Sequence, residues 1–427
     1  MFLGRKNDVN FKESDNVVIG YDLNDFNVQI SYCPMDSYDA QTVSSVMGNE
    51  VYDIPMVLCK RMEVNQWYYG REALKQAENG AGTLVEGLFE KARKGIPIIV
   101  EDEEFDPVLL LSLFIKKSLS ILSAVVPAGK IAGVMFTTDS IDENMVRIFN
   151  TIVKGLALKT ENIFIQSHVE SLFYYTIHQP KDVWNGQVLA CEYEKDMMIT
   201  HKLEFNQNTT PIVSFSVTEK YNNIEIGNKD RNFLNILHKN CDGRYVSSIQ
   251  LIGNGFKDDW YKDSLKYMCV NRRVFAGNNL YSKGACYGVL EKLCPSSIGK
   301  EYIYLGKDKL KANVGMEVSK RGQNAYLVLL NAGMNWYEVG SCVEFILPKD
   351  NVLEFKITSL TGNKVYKEVM VLDEMPERKP GTTRVGLQMS MTSDNTIYVR
   401  VEDLGFGDFY PATYKTWEKE IVLEIKE

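Results

Sequence analysis

The reading of the fold turns on one stretch near the start of the chain, NVVIGYDLNDFNVQISYC, residues Asn16–Cys33. In NVVIGYDL (Asn16–Leu23) and FNVQISYC (Phe26–Cys33), apolar residues alternate on either side of a polar Asn24-Asp25 turn, which predicts a β-hairpin with an acidic turn. Downstream, IPMVLCKR (Ile54–Arg61) is a further apolar run. Trp67–Gly70 reads as the end of a strand, and Arg71–Gly80 as a short helix closed by glycine. Helical patterning is predicted over Thr83–Arg93 and over Asp106–Val125, where Asp106 supplies an N-cap and Pro107 a first-turn proline.

Strand-then-helix order follows twice. Lys130–Thr138 is a short apolar run leading into an amphipathic helix with Ser140 as its cap and Gly155 near its end. Asn162–Gln166 is predicted extended and Val169–Ile177 helical. WNGQVLACEYEKDMMITHKLEF reads as two antiparallel strands joined near Glu194–Asp196. Lys229–Leu237 is predicted helical, YVSSIQLIGNG ends a strand in a glycine-rich turn, and Leu280–Cys294 is a helix halted by Pro295. Beyond about Gly299 the pattern becomes short alternating runs separated by turn residues, an all-β second domain with Met375–Arg384 as a long loop inside it. No internal repeat of fixed period is evident.

Composition narrows the function classes. The 427 residues carry 48 Lys+Arg against 56 Asp+Glu, a net charge of −8 that argues against nucleic acid as a partner. The eight cysteines are scattered with no zinc-type spacing, as in a reducing cytoplasm. The first sixteen residues hold no apolar stretch of the signal-peptide kind. Pro107–Val126, broken by Lys116-Lys117 and serines, suits a buried helix better than a membrane span. The expectation is a soluble, cytoplasmic protein without direct membrane insertion. His168 and Glu170 lie close together with no third ligand at metal spacing, which favours a surface or interface role over metal binding. His201 and His238 offer nothing specific, and no catalytic triad is legible.

The Gly20-x-Asp22-Leu23 hairpin resembles the first phosphate loop of the superfamily of actin and the seventy-kilodalton heat-shock chaperone ATPases. Further segments resemble that family in its own order. Tyr69-Gly70-Arg71-Glu72-Ala73 looks like the chaperone segment entering its "glycine, acid, alanine" helix. ENIFIQSHVESLFYY is similar to the connecting helix with its glutamate, SIQLIGNGFKDDWYKDSLK to the adenosine motif, and NLYSKGACYGVL to the alanine-glycine helix. The β-rich tail, through PERKPGTTR and RVGLQMSMTSDNTIYVRVEDLG, resembles the chaperone's peptide-binding β-domain, without the helical lid that would follow it. The resemblance implies an α/β two-lobed actin-like (ribonuclease-H-like) ATPase fold over residues 1–298. An all-β sandwich would follow over residues 299–427.

The phosphate loops depart from the family pattern. Asp22 stands where the family's metal-ordering acid does, but Asn24 and Asp25 replace its Gly and Thr. The second loop offers Glu192 at the acid's place and then Tyr193, Glu194, Lys195 and Asp196, with no glycine between Gly186 and Gly227. Such side chains block the nest of backbone amides that would hold a phosphate. Leu88 sits near the place of the phosphate-side lysine, which Lys91 or Lys94 reaches only in a shifted register. The adenosine motif keeps Gly253, Asn254 and Gly255, which read equally as a tight strand-to-helix turn. Asp22 reads equally as a turn-capping carboxylate.

The candidate nucleotide-contacting residues are therefore Gly20, Asp22, Asn24, Asp25, Gly253, Asn254 and Gly255, with no catalytic or metal-binding residue assigned. The first functional reading is a pseudo-ATPase that binds a protein or peptide partner through its C-terminal β-domain. One alternative is a slow ATPase using ATP or ADP with magnesium, with Lys195 neutralising the γ-phosphate. The other is an actin-like structural scaffold.

Overall fold

The computed structural model describes residues 16–46, 48–62, 64–126, 130–156, 158–194, 196–222, 224, 226–277, 279–320, 322–347, 351–360 and 365–423. The chain forms two compact units divided between Tyr304 and Leu305, a little beyond the expected 298/299 boundary. The shift has a simple cause: Tyr302–Tyr304 adds as a parallel strand to Ile212–Asn222 of the first unit, so the crossing segment pairs backward.

The first unit contains two six-stranded sheets of matching design. In one, Ile163–Ser167, Ile131–Thr138, Val17–Leu23, Asn27–Pro34 and Gln41–Thr42 lie side by side in that order. Val17–Leu23 is antiparallel to its hairpin partner Asn27–Pro34 and parallel to Ile131–Thr138, which is parallel to Ile163–Ser167. In the other, Arg273–Ala276, Val246–Ile252, Gln187–Glu194, Met197–Asn206 and Ile212–Asn222 repeat that order and those directions. The structural duplication is invisible as a sequence period because only the apolar pattern, and not residue identity, is needed to build each sheet.

Parallel neighbours require crossovers, and helices supply them. Glu143–Leu156 joins Ile131–Thr138 to Ile163–Ser167, and Lys262–Met268 joins Val246–Ile252 to Arg273–Ala276. Each sheet's last parallel strand then runs into a helix, His168–Ile177 in the first half and Leu280–Leu293 in the second. These two helices pack on each other through small residues. A Cβ on Gly284 would lie 2.0 Å from the Ser171 carbonyl oxygen of the facing helix, and one on Gly288 2.5 Å from Oε1 of Gln166 in the strand that precedes that helix. Leu280–Leu293 is buried along nearly its whole length, as a helix without a consistently polar face must be.

Two local expectations need correction. Thr83–Arg93 is not one helix: Gly82–Val85 is a strand paired with Leu58–Arg61, and Leu88–Lys94 starts only after Gly87, whose φ of +67° breaks the run. The helix after Ile131–Thr138 is capped by Asp142, which accepts from the Met145 amide at 2.7 Å, and not by Ser140. Pro107–Ala124 is long and apolar enough to cross a membrane by length and composition. It is an α-helix, Pro107–Leu119, capped by Asp106 as expected, then a 3-10 turn, with Leu110, Leu111, Phe114 and Ile115 buried.

Among the described residues, the second unit consists of two four-stranded antiparallel sheets. One is ordered Gln323–Leu330, Ala312–Lys320, Val352–Ser359, Val365–Val371, and the other Gly340–Ile346, Arg384–Met391, Thr396–Gly405, Thr416–Val422. Alternate residues turn inward, among them Leu353, Phe355 and Ile357 in one sheet and Val385, Leu387, Ile397, Val399 and Val401 in the other. The Met375–Arg384 loop is tied down by Arg378, whose guanidinium donates to both oxygens of the fully buried Asp403 at 2.6 and 2.8 Å.

Candidate functional site

The duplicated topology brings corresponding parts of the two halves to one cavity of about 130 Å³. Each half contributes its hairpin: Asp22, Asn24, Asp25, Phe26, Asn27 and Gln29 from the first, Glu192, Glu194, Met197 and Ile199 from the second. Each contributes the residues that follow a parallel strand, Asp139 in the first half and Gly253-Asn254 in the second. Each also contributes the opening of its central helix, where His168 and Tyr281 stack with ring centroids 4.1 Å apart and planes within 3°.

The hydrogen bonds around this cavity lie within each half, and the His168–Tyr281 stack joins one half to the other. His168 Nε2 lies 2.7 Å from Asp22 Oδ1, with both side chains about 5% exposed. Tyr281 donates its hydroxyl to Glu192 Oε2 at 2.9 Å. Glu194 reaches across to the glycine turn, where its Oε1 accepts from the Asn254 amide at 2.7 Å and from Asn254 Nδ2 at 3.2 Å. Gln29 Nε2 donates to Asp53 Oδ1 at 2.7 Å. Arg93 pairs with Asp139 at 2.5 Å.

Burial and charge act in opposition on these groups. Burial alone would drive His168 toward its neutral form, but the adjoining Asp22 carboxylate outweighs it and raises the imidazole above its ordinary value. Burial raises Glu192, and burial together with the Glu192 carboxylate beside it holds Tyr281 well above the usual phenol range. Burial also works to raise Asp139, yet its bonds to Arg93 bring it below the ordinary carboxylate value.

The predicted site residues divide into two groups. Asp22, Asn24, Asp25, Gly253 and Asn254 line the cavity together. Gly20 does not: it lies under the central helix, where a Cβ would stand 1.9 Å from the Ser282 carbonyl oxygen, so its smallness serves helix-on-strand packing. Gly255 packs against the Tyr193 ring, 2.2 Å from where its own Cβ would be. Asp22 does not cap its turn; Asn24 does, accepting from the amides of Phe26 and Asn27 at 3.0 Å each. His168 is not at the surface, but is buried in the cavity wall.

Leu88 is fully buried, Lys91 donates to the Glu86 carbonyl and Lys94 pairs with Glu90, while Phe89 faces the cavity. Lys195 and Met1–Asp15 lie outside the described residues. Sequence reading missed Asp53, Asp139, Gln29 and Tyr281, which come from four separate segments and share no motif.

Six carboxylates line the cavity, those of Asp22, Asp25, Asp53, Asp139, Glu192 and Glu194, and His168 is the basic side chain among the lining residues. Among the described residues no three His, Cys, Asp or Glu side chains converge closely enough to hold a metal ion. Each carboxylate brought within about 4 Å of a phosphate oxygen would cost on the order of 1 to 4 kcal/mol. The cavity is thus arranged to repel anions and to accept hydrogen bonds.

Residues 309–423 match the model of a domain of unknown function, DUF8552, and so coincide with the second unit. No curated protein matches the chain. Residues 39–307, which take in the cavity from Asp53 to Tyr281, match the model described as the C-terminal part of a family of unknown function, DUF5716. That match spans more than half of the chain, and the chain belongs to this family.

Proposed function

We propose that the first unit is an actin-type two-lobed fold whose nucleotide cleft has lost its capacity for phosphate, and that the second is a β-sandwich binding protein or peptide segments. The chain would act as a non-hydrolysing relative of the seventy-kilodalton heat-shock chaperones. The duplicated strand order, with a hairpin, two parallel strands and a central helix in each half, supports the fold reading. The observation that carries the functional reading is the Glu194 carboxylate on the Asn254 amide, 2.7 Å away. A backbone amide at a glycine turn is what a phosphate or ribose would use, and here an anion of the chain's own occupies it.

The peptide arm of the proposal draws on the second unit. Gln323–Leu330 ends its sheet and carries Tyr326 and Val328, each 44% exposed, a setting suited to an added extended strand with side-chain contacts. The test is calorimetry of ATP and ADP with and without magnesium on the full chain, beside anisotropy with labelled extended peptides. No saturable nucleotide binding up to about 1 mM, together with peptide binding that ATP leaves unchanged, is the expected result. Tight magnesium-dependent ATP binding would overturn the pseudo-ATPase reading, and silence toward every peptide the partner reading.

A further inference from the structure

We infer that the inter-half cavity of the first unit is a binding site for a primary alkylammonium group, supplied by a free diamine or by a lysine side chain. The inference rests on reading this cavity as closed to phosphate, and extends it by naming what the same residues would accept.

The argument starts from which donors and acceptors are already engaged. Five of the lining's side-chain donors have acceptors within the chain: His168 Nε2 on Asp22, the Tyr281 hydroxyl on Glu192, Gln29 Nε2 on Asp53, Asn24 Nδ2 on Asn27 Oδ1, and Asn254 Nδ2 on Glu194. Acceptors remain in surplus. Gln29 is only 3% exposed, and its Oε1 has no hydrogen-bond partner; Asn254 Oδ1 has none either. Turning the Gln29 amide over does not relieve this, because its oxygen would then face the Asp53 carboxylate, acceptor against acceptor. A buried carbonyl oxygen without a donor is costly, and an acidic wall beside it sets the sign of the donor that would satisfy it.

Size and lining select among cations. The absence, among the described residues, of three converging metal ligands argues against a divalent ion. A cavity of about 130 Å³ lined by Phe26, Phe89, Met197, Ile199 and Ile252 as well as carboxylates suits a short apolar stem ending in a charged head. An ammonium group brings three donors and no acceptor, the complement of this wall.

The experiment titrates the full chain by calorimetry with 1,4-diaminobutane, n-butylamine and Nα-acetyl-lysine methylamide, against sodium chloride at matched ionic strength. ATP with magnesium is titrated separately. Saturable binding of an amine with a dissociation constant of about 0.1 to 1 mM is expected, weakened at least about tenfold by Asp53→Asn, which removes charge beside Gln29. Met197→Trp, at a position 40% exposed on the cavity wall, fills the space without touching a buried polar group and should abolish binding while the protein stays folded by circular dichroism.

Tighter binding of diaminobutane than of the lysine derivative assigns the site to a free diamine, and the reverse order to a lysine of a partner protein. Absence of saturable amine binding, or binding that neither variant changes, overturns the inference. Those results would leave the pseudo-ATPase reading standing, since only the ATP titration bears on it.

Discussion

His168 Nε2 and Asp22 Oδ1 lie 2.7 Å apart in the buried wall between the two halves of the first unit, a contact linking the first strand to the opening of a central helix 146 residues away. Asp22 and the acids beyond it hold His168 protonated above its ordinary range despite burial. A base with a raised folded value stabilises the fold fully below the unfolded value of about 6.5, and that stability is lost as pH rises through the folded value. His168→Gln is expected to flatten this loss. Breaking a buried pair costs about 3 to 5 kcal/mol at acid-neutral pH, read by urea denaturation between about pH 6 and 9.

His201 behaves in the opposite sense. It is buried, with Nδ1 2.9 Å from Thr218 Oγ1, and burial, helped by the charges of His168 and Lys220, lowers it to about 3. Its folded value lies below the unfolded one, so stability falls as pH drops from about 6.5 toward the folded value, by up to about 1.4 kcal/mol per pH unit. Nitrogen-resolved NMR titration should show the His201 ring neutral down to about pH 4 while His168 titrates above its ordinary value. The two slopes together put a maximum in the stability of the first unit.

Packing of the central helices makes a sterically specific prediction. Gly284→Ala places a methyl 2.0 Å from the Ser171 carbonyl oxygen, backbone that has nowhere to move, and should destabilise by at least about 1 to 3 kcal/mol. Gly227→Ala, with nothing within 4 Å of its added Cβ, is the matched control and should change stability by less than about 0.5 kcal/mol. Equal melting shifts for both would show that the tight helix contact carries no energetic consequence.

In the second unit, Asp403 works against acid. Burial acts to raise its carboxyl, but Arg378, the Thr413 hydroxyl and two backbone amides outweigh that and hold it far below the usual range. Stability from this group is present above the unfolded value of about 3.9 and is lost as pH falls below it toward the folded value. Asp403→Asn leaves the Arg378 guanidinium, 5% exposed, without its counter-ion and should cost about 3 to 5 kcal/mol at neutral pH. The measurement is Trp fluorescence during denaturation, with Trp336 and Trp417 as reporters in this unit.

Much of the scaffold was legible. Val17–Leu23, Asn27–Pro34 and Ile131–Thr138 read as strands because short apolar runs bounded by polar turn residues suit strands buried on both faces. The errors came where one residue overrode a pattern. Gly87 split Thr83–Arg93, and Asp142 took the cap from Ser140.

The candidate site was legible only in part. Asp22, Asn24, Asp25 and Gly253-Asn254 stood out because turns declare themselves through Asn, Asp and Gly at fixed offsets. Gly20 and Gly255 carried the same signal for a different cause, close packing against Ser282 and Tyr193, which a sequence does not distinguish from ligand approach.

By itself the sequence determined the elements, their order, the change to an all-β second unit and the acidity of both hairpin turns, since these follow from local periodicity and composition. Only the tertiary structure decided that the two sheets share one topology, that His168 meets Asp22 and Tyr281 meets Glu192, and that Glu194 closes the glycine turn. Those pairings span 60 to 146 residues. Their physical cause is the strand pairing of each sheet, which sets the opening of the central helix and the glycine turn beside the hairpin of the same half. The close packing of the two central helices at Gly284 then brings the two halves together.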